Sequence, residues 1–107
     1  AYTADQNLQD APHKGDLRRA RAAAMNIVPT TTNAGTALAK VYPVAAGKVH
    51  ASAVRVPVID GSLTEVNAVL KKEATKEQIN EAFKKASETS LKGIVQYVTD
   101  PLVSTDI

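Results

Sequence analysis

The 107-residue chain has no cysteine and no tryptophan, a single phenylalanine, a single methionine and two histidines. The missing cysteine excludes disulfides, thiolate metal sites and a cysteine nucleophile within this chain. His13 and His50 are the only imidazoles. Neither stands at metal-ligand spacing or beside an evident nucleophile, so both read as surface or internally satisfied residues and no metal site is expected. Aromatic residues make up 4% of the chain, too few to form a stacking platform along single-stranded nucleic acid. No apolar run approaches the roughly 18 residues of a membrane-spanning helix, and no secretory signal series opens the chain. Charge of one sign is also lacking: 13 Lys and Arg are offset by 11 Asp and Glu, leaving a formal +2 that names no acidic polymer as partner. These absences favour a reducing cytoplasm, without a membrane span and without nucleic acid among the expected partners.

What is present suits one domain with one core, since a compact chain of this size buries about two thirds of its unfolded surface. Residues 1–25 carry Asp, Gln, Asn, Pro12 and Gly15 with no sustained apolar period and read as a long loop. Loops of that length are usually functional or disordered. Met25 to Thr30 is short, apolar and β-branched at Ile27 and Val28, a strand signal with Pro29 at an edge. Behind a Thr or Asn cap, Ala34, Ala37, Leu38 and Val41 recur at helical spacing until Pro43. Val49 to Val58 and Leu63 to Leu70 are Val-rich and partly alternating, and Asp60-Gly61-Ser62 between them suggests an antiparallel hairpin. Thr75 and Gln78 have the form of a capping box, followed by an amphipathic face of Ile79, Ala82, Phe83 and Ala86 to about Glu88. Gly93 then marks a stop and Ile94 to Val98 a further strand, and Leu102 to Ile107 looks like the start of another element. The order predicts an α+β fold, a mainly antiparallel or mixed sheet with helices on one face, spread over residues 26–107. Both ends read as cut.

Three features could carry chemistry. Lys14, Arg18, Arg19 and Arg21 cluster within a loop that also holds Asp5, Asp10 and Asp16. The cluster could serve a polyanion, pair internally to hold the loop, or clamp one small phosphate with Thr hydroxyls. Arg55 places a permanent cation inside the Val-rich run AVRVPV, which calls for a salt-bridge partner or an anion site at the strand's end. The row Thr30-Thr31-Thr32 suits a helix N-cap, although a helix N-terminus also attracts anions.

The stretches AYTADQNLQDAPHKGDLRRARAAAMNIVPTTT, SAVRVPVIDGSLTEV and LKGIVQYVTDPLVSTDI resemble, in order and spacing, a family: the phosphorylating glyceraldehyde-3-phosphate dehydrogenases. The resemblance covers essentially all 107 residues. It implies the central part of the catalytic domain of a cytoplasmic, glycolytic, homotetrameric, NAD-dependent oxidoreductase, with 1–25 as a loop at the active site and subunit interface and the dinucleotide-binding domain outside the chain. In that family a cysteine attacks the aldehyde of glyceraldehyde 3-phosphate, a histidine acts as base, hydride passes to NAD, and inorganic phosphate cleaves the thioester to give 1,3-bisphosphoglycerate. Both catalytic residues would lie upstream of Ala1, so no catalytic residue is expected in this chain. By the same resemblance, Thr3, Asp5 and Arg55 bind the substrate phosphate and the facing ribose of NAD. Arg19, Thr32 and Asn33 belong to the inorganic-phosphate site, with Asn33 where the family commonly has Gly. Ala11 and Pro12 approach the adenosine of NAD on a neighbouring subunit, while Arg18 and Arg21 hold the loop or subunit contacts. The alternative is a non-catalytic binding or structural segment whose basic loop contacts anionic partners.

The isolated chain, verified by intact mass, is expected to be only marginally folded and to show no oxidation of glyceraldehyde 3-phosphate with NAD and phosphate. Turnover by that material would refute the requirement for an upstream cysteine and histidine.

Overall fold

A computed structural model describes residues 1–107, which form two compact units, Ala1–Ser62 and Leu63–Ile107. In the first unit, β1 (Val28–Thr30) pairs antiparallel with β2 (Ala53–Arg55), in the register Val28 to Arg55, Pro29 to Val54 and Thr30 to Ala53. Side chains alternate across a strand, so Val28, Thr30, Ala53 and Arg55 share one face while Pro29 and Val54 share the other. Burial follows this alternation: Val28 is 2% exposed and Thr30, Ala53 and Arg55 are half-buried, whereas Pro29 and Val54 face solvent. Pro29 lacks an N–H and is tolerated because the sheet has only two strands, both of them edges.

The N-terminal loop packs against this unit through backbone and side-chain bonds. Tyr2 N–H donates to the Val58 carbonyl at 3.1 Å, and the Ala1 ammonium to the Gly61 carbonyl at 3.1 Å. Gly61 has φ +86°, a left-handed conformation that glycine adopts freely, and Asp60 Oδ1 accepts its N–H. Within the loop, two limbs are tied together: Asn7 N–H donates to the Arg19 carbonyl, Ala23 N–H to the Asn7 carbonyl and Ala11 N–H to the Ala20 carbonyl. Ala23 (1% exposed) and Val28 are the only buried hydrophobic residues of the chain. The core therefore lies where the loop's second limb enters β1.

The helix α1 (Ala34–Val41) follows the threonine row, and Pro43 opens a single 3-10 turn directly after Tyr42. Gly35 faces the Val49 segment, where a Cβ would stand 3.4 Å from the Val49 carbonyl, at the near edge of ordinary contact.

In the second unit, α2 (Lys76–Glu88) begins with a complete capping box. The Thr75 hydroxyl accepts Gln78 N–H at 3.3 Å and Gln78 Oε1 accepts Thr75 N–H at 2.9 Å. The helix unwinds through Thr89–Gly93, with Gly93 at φ +79°, and a 3-10 turn at Ser104–Asp106 closes the chain.

The α+β class holds, with a smaller sheet than the sequence pattern predicts. Val49–Val58 contributes only Ala53–Arg55 as strand, while Leu63–Leu70 and Ile94–Val98 form none and the expected hairpin at Asp60–Ser62 is reduced to a bend at residues 59–60. A strand exists by pairing, and neither Val-rich segment has a partner here. Leu63, Val66 and Val69 are accordingly exposed, as are Ile79 and Phe83 of α2. No helix is long and apolar enough to cross a membrane.

Thr75→Ala removes the N-cap oxygen and is expected to weaken α2 by about 1 kcal/mol. The change should appear as faster amide exchange at Gln78 and Ile79, and unchanged exchange would show that packing alone holds the first turn.

Candidate anion-binding site

The local fold of the loop arises from short polar side chains that bond nearby backbone. Asp16 Oδ1 accepts Arg18 N–H at 2.9 Å, and three successive i to i+3 bonds follow, so residues 16–21 form a tight capped turn. This turn presents Arg19 inward and leaves Arg18 and Arg21 exposed. The first limb turns sharply at Thr3–Gln6, where Gln6 N–H donates to the Thr3 carbonyl at 3.0 Å. Asp5 projects from that turn toward both Arg19 and Arg55.

Arg19 is the centre of the cluster. Its side chain is 19% exposed and donates from Nη1 to Asp5 Oδ2 at 2.7 Å, from Nε to Thr30 Oγ1 at 2.9 Å and from Nη2 to Thr31 Oγ1 at 3.0 Å. Asp16 Oδ2 lies 3.7 Å from its Nε. Arg55, 24% exposed, donates from Nη1 to Thr3 Oγ1 and stands 3.7 Å from Asp5 Oδ1, which accepts the Thr3 hydroxyl. Two guanidinium groups, one carboxylate between them and the hydroxyls of Thr3, Thr30 and Thr31 thus converge between loop and sheet. Planar guanidinium forks with adjacent hydroxyl donors recognise tetrahedral oxyanions such as phosphate.

Of the residues singled out from sequence, Thr3, Asp5, Arg19 and Arg55 are in this cluster. Thr32 stands apart from it: its Oγ1 accepts Ala34 N–H at 3.1 Å at the start of α1, and it lines a shallow cleft of about 350 Å³ with Gly35, Thr36, Val49, His50 and Ala51. Asn33 precedes α1 at φ −92° with no side-chain cap bond, a backbone conformation open to any residue, so Asn is accommodated there without strain. Ala11 and Pro12 form an exposed tip whose carbonyls accept Asn7 Nδ2 at 2.6 and 3.3 Å. His13 sets its Nε2 2.9 Å from the Asp5 carbonyl, while its Nδ1 is buried without a hydrogen-bond partner, so the ring is only half satisfied. Sequence reasoning did not identify Thr30 and Thr31 as partners of Arg19. The signal for Thr30 was its even spacing from Val28, which puts it on the inward face of β1.

The family model described as "Glyceraldehyde 3-phosphate dehydrogenase, C-terminal domain" matches residues 1–107. The chain belongs to this family. Among curated glyceraldehyde-3-phosphate dehydrogenases it is 59% identical to that of Mycobacterium avium, 57% to that of Mycolicibacterium smegmatis and 53% to enzyme 1 of Streptomyces arenae. Each match covers 100% of this chain, which spans 31–32% of the length of those relatives.

In this dehydrogenase-family segment three aspartates are acidified. The Asp5 carboxyl is held below its ordinary value first by the Thr3 hydroxyl, then by Arg19 and Arg55, against a partial opposing effect of burial. Asp10 is lowered by the Ala22 N–H and then by Arg21, and Asp16 by the Arg18 N–H and then by the Arg18 side chain. A carboxylate lowered in the folded state adds stability that is complete above its unfolded pKa and lost as pH falls through the folded one. The loop should therefore hold from neutrality down to about pH 4 and loosen below it. Amide proton shifts of Ala22 and Arg18 followed through acid titration should give midpoints below that of a free aspartate. Ordinary midpoints at both would contradict the two side-chain caps.

Proposed function

We propose that this chain is the phosphate-binding segment of a phosphorylating, NAD-dependent glyceraldehyde-3-phosphate dehydrogenase. The observation that carries the reading is the convergence of Arg19 and Arg55 on Asp5, with Thr hydroxyls on both sides. Family membership supplies the chemical context in which two phosphates must be bound, that of glyceraldehyde 3-phosphate and the attacking inorganic phosphate.

Arg55 and Thr3 hold the substrate phosphate. Arg55 uses Nη1 on Thr3 and retains Nε and Nη2 as donors for a ligand oxygen. Arg19, with the threonine row to Thr32 and the backbone at Asn33, takes inorganic phosphate and delivers it to the acyl group made upstream by cysteine and histidine. A fixed guanidinium here lowers repulsion between the anionic nucleophile and the substrate's own phosphate and orients the attack. The Asp5 side chain is half-exposed, and the remaining lone pairs of its carboxylate can accept from a ribose hydroxyl. The exposed Ala11–Pro12 tip, braced by Asn7, suits contact with the adenosine of NAD on a neighbouring subunit of a homotetramer. NAD, when bound, supplies the hydride acceptor, and these residues orient it without taking part in the transfer. The enzyme works in the cytoplasm, and residues 1–107 are part of a catalytic domain completed by strands and a dinucleotide-binding domain elsewhere in the polypeptide.

The alternative of a basic loop docking on an anionic polymer loses support from the ion pairs. Arg18, Arg19 and Arg21 are matched to Asp16, Asp5 and Asp10 at 3.4, 2.7 and 3.1 Å, so the loop's positive charge is largely neutralised within the fold.

In the full-length enzyme, Arg55→Leu is expected to raise KM for glyceraldehyde 3-phosphate on the order of tenfold or more, and Arg21→Leu to change it by less than about threefold. Equal losses in steady-state kinetics would remove the distinction between a substrate ligand and a loop brace.

A further inference from the structure

Gln6 is the only buried polar residue of the chain, 7% exposed, although Ala4 and Asp5 before it face solvent. Its Oε1 accepts Thr3 N–H at 3.1 Å while its own N–H donates to the Thr3 carbonyl at 3.0 Å, so one residue closes both ends of the Thr3–Gln6 turn. Both side chains that meet Arg55 leave this turn, Thr3 through its hydroxyl and Asp5 through its carboxylate. The turn is pinned from the opposite side by His13 Nε2 on the Asp5 carbonyl. The remaining half of the Gln6 amide, Nε2, is buried and donates to no protein group. A buried donor without a protein acceptor is unfavourable for stability, and an apolar side chain of the same length would avoid it. Thr3 is exposed, so its N–H could be solvated without Gln6. The amide therefore contributes little to stability and much to geometry.

We propose that Gln6 is a positioning residue that sets the Thr3 hydroxyl and Asp5 carboxylate against Arg55, and so determines affinity for the phosphate of the substrate. The proposal rests on the reading of Thr3 and Arg55 as phosphate ligands. It differs from a packing role in its expected signature. Loss of the amide should weaken substrate binding without loss of stability, because geometry at the site is surrendered while an unpaired buried donor is removed.

The test uses the full-length enzyme with Gln6→Met, Gln6→Leu, Thr3→Val and the double variant Gln6→Met/Thr3→Val. Gln6→Met and Gln6→Leu should raise KM for glyceraldehyde 3-phosphate about tenfold, with kcat within about threefold. Their Tm should match or exceed that of the parent. In the Thr3→Val background, Gln6→Met should add less than about twofold, since the Thr3 hydroxyl that Gln6 chiefly positions against Arg55 is already gone. An unchanged KM in the Gln6 variants, beside a raised KM in Thr3→Val, would overturn the role of Gln6 and leave the phosphate site standing. An unchanged KM in Thr3→Val would remove the phosphate-site reading and the proposal with it. Full additivity, or failure of both Gln6 variants to yield soluble enzyme, would assign Gln6 to the fold as a whole and also overturn the proposal.

Discussion

The first unit depends on a single carboxylate placed between two guanidinium groups. Arg19 arrives from the loop and Arg55 from β2, and like charges brought together in a partly desolvated site repel strongly. Asp5 stands 2.7 Å from one and 3.7 Å from the other, which lets both point into the same space. Because Asp5 belongs to the first limb of the loop, Arg19 to the second and Arg55 to the sheet, this one group ties three pieces of chain that are distant in sequence. Thr30 and Thr31 complete the attachment by accepting from Arg19 on the β1 side.

The means of ordering is unusual for so long a loop. With only Ala23 and Val28 buried among the hydrophobics, the loop gains little from apolar burial. Its shape comes instead from side chains that bond backbone groups: Asp10 on Ala22, Asp16 on Arg18, Asn26 on Ala22 and Asn7 on the Ala11–Pro12 tip. Such bonds specify geometry closely while adding modest net stability. A structure held in this way responds to charge state more than to side-chain volume.

Local signals were legible where the structure is local. The Thr75–Gln78 box and the 79, 82, 83, 86 spacing gave α2 almost to the residue, and Ala34 to Val41 before Pro43 gave α1. Arg55 was conspicuous as a cation among valines, and the structure places it half-buried against Asp5 and Thr3. Reading Leu63–Leu70 and Ile94–Val98 as strands erred in a different way, since β-propensity names a surface that fits a sheet and cannot supply the neighbouring strand. The acceptors of Arg19 and the burial of Gln6 were illegible for a related reason. Both depend on which residues distant in the chain come together, and the residue types alone, a threonine row and a glutamine in a polar loop, are compatible with several roles.

The pairing of Val28 with Arg55 makes the site's charge a matter of parity. Arg55 faces the loop because it lies an even number of residues from Ala53 and opposite a buried valine. A shift of β2 by one residue would turn the guanidinium to the side of Pro29 and offer Val54 to Asp5 in its place. Beyond residues 31–33, the connection through α1 can therefore vary in length without moving the charge, whereas a single insertion within 53–55 would reverse it. Descendants of this sequence are free to remodel the connection, but the three-residue ladder admits changes only in steps of two.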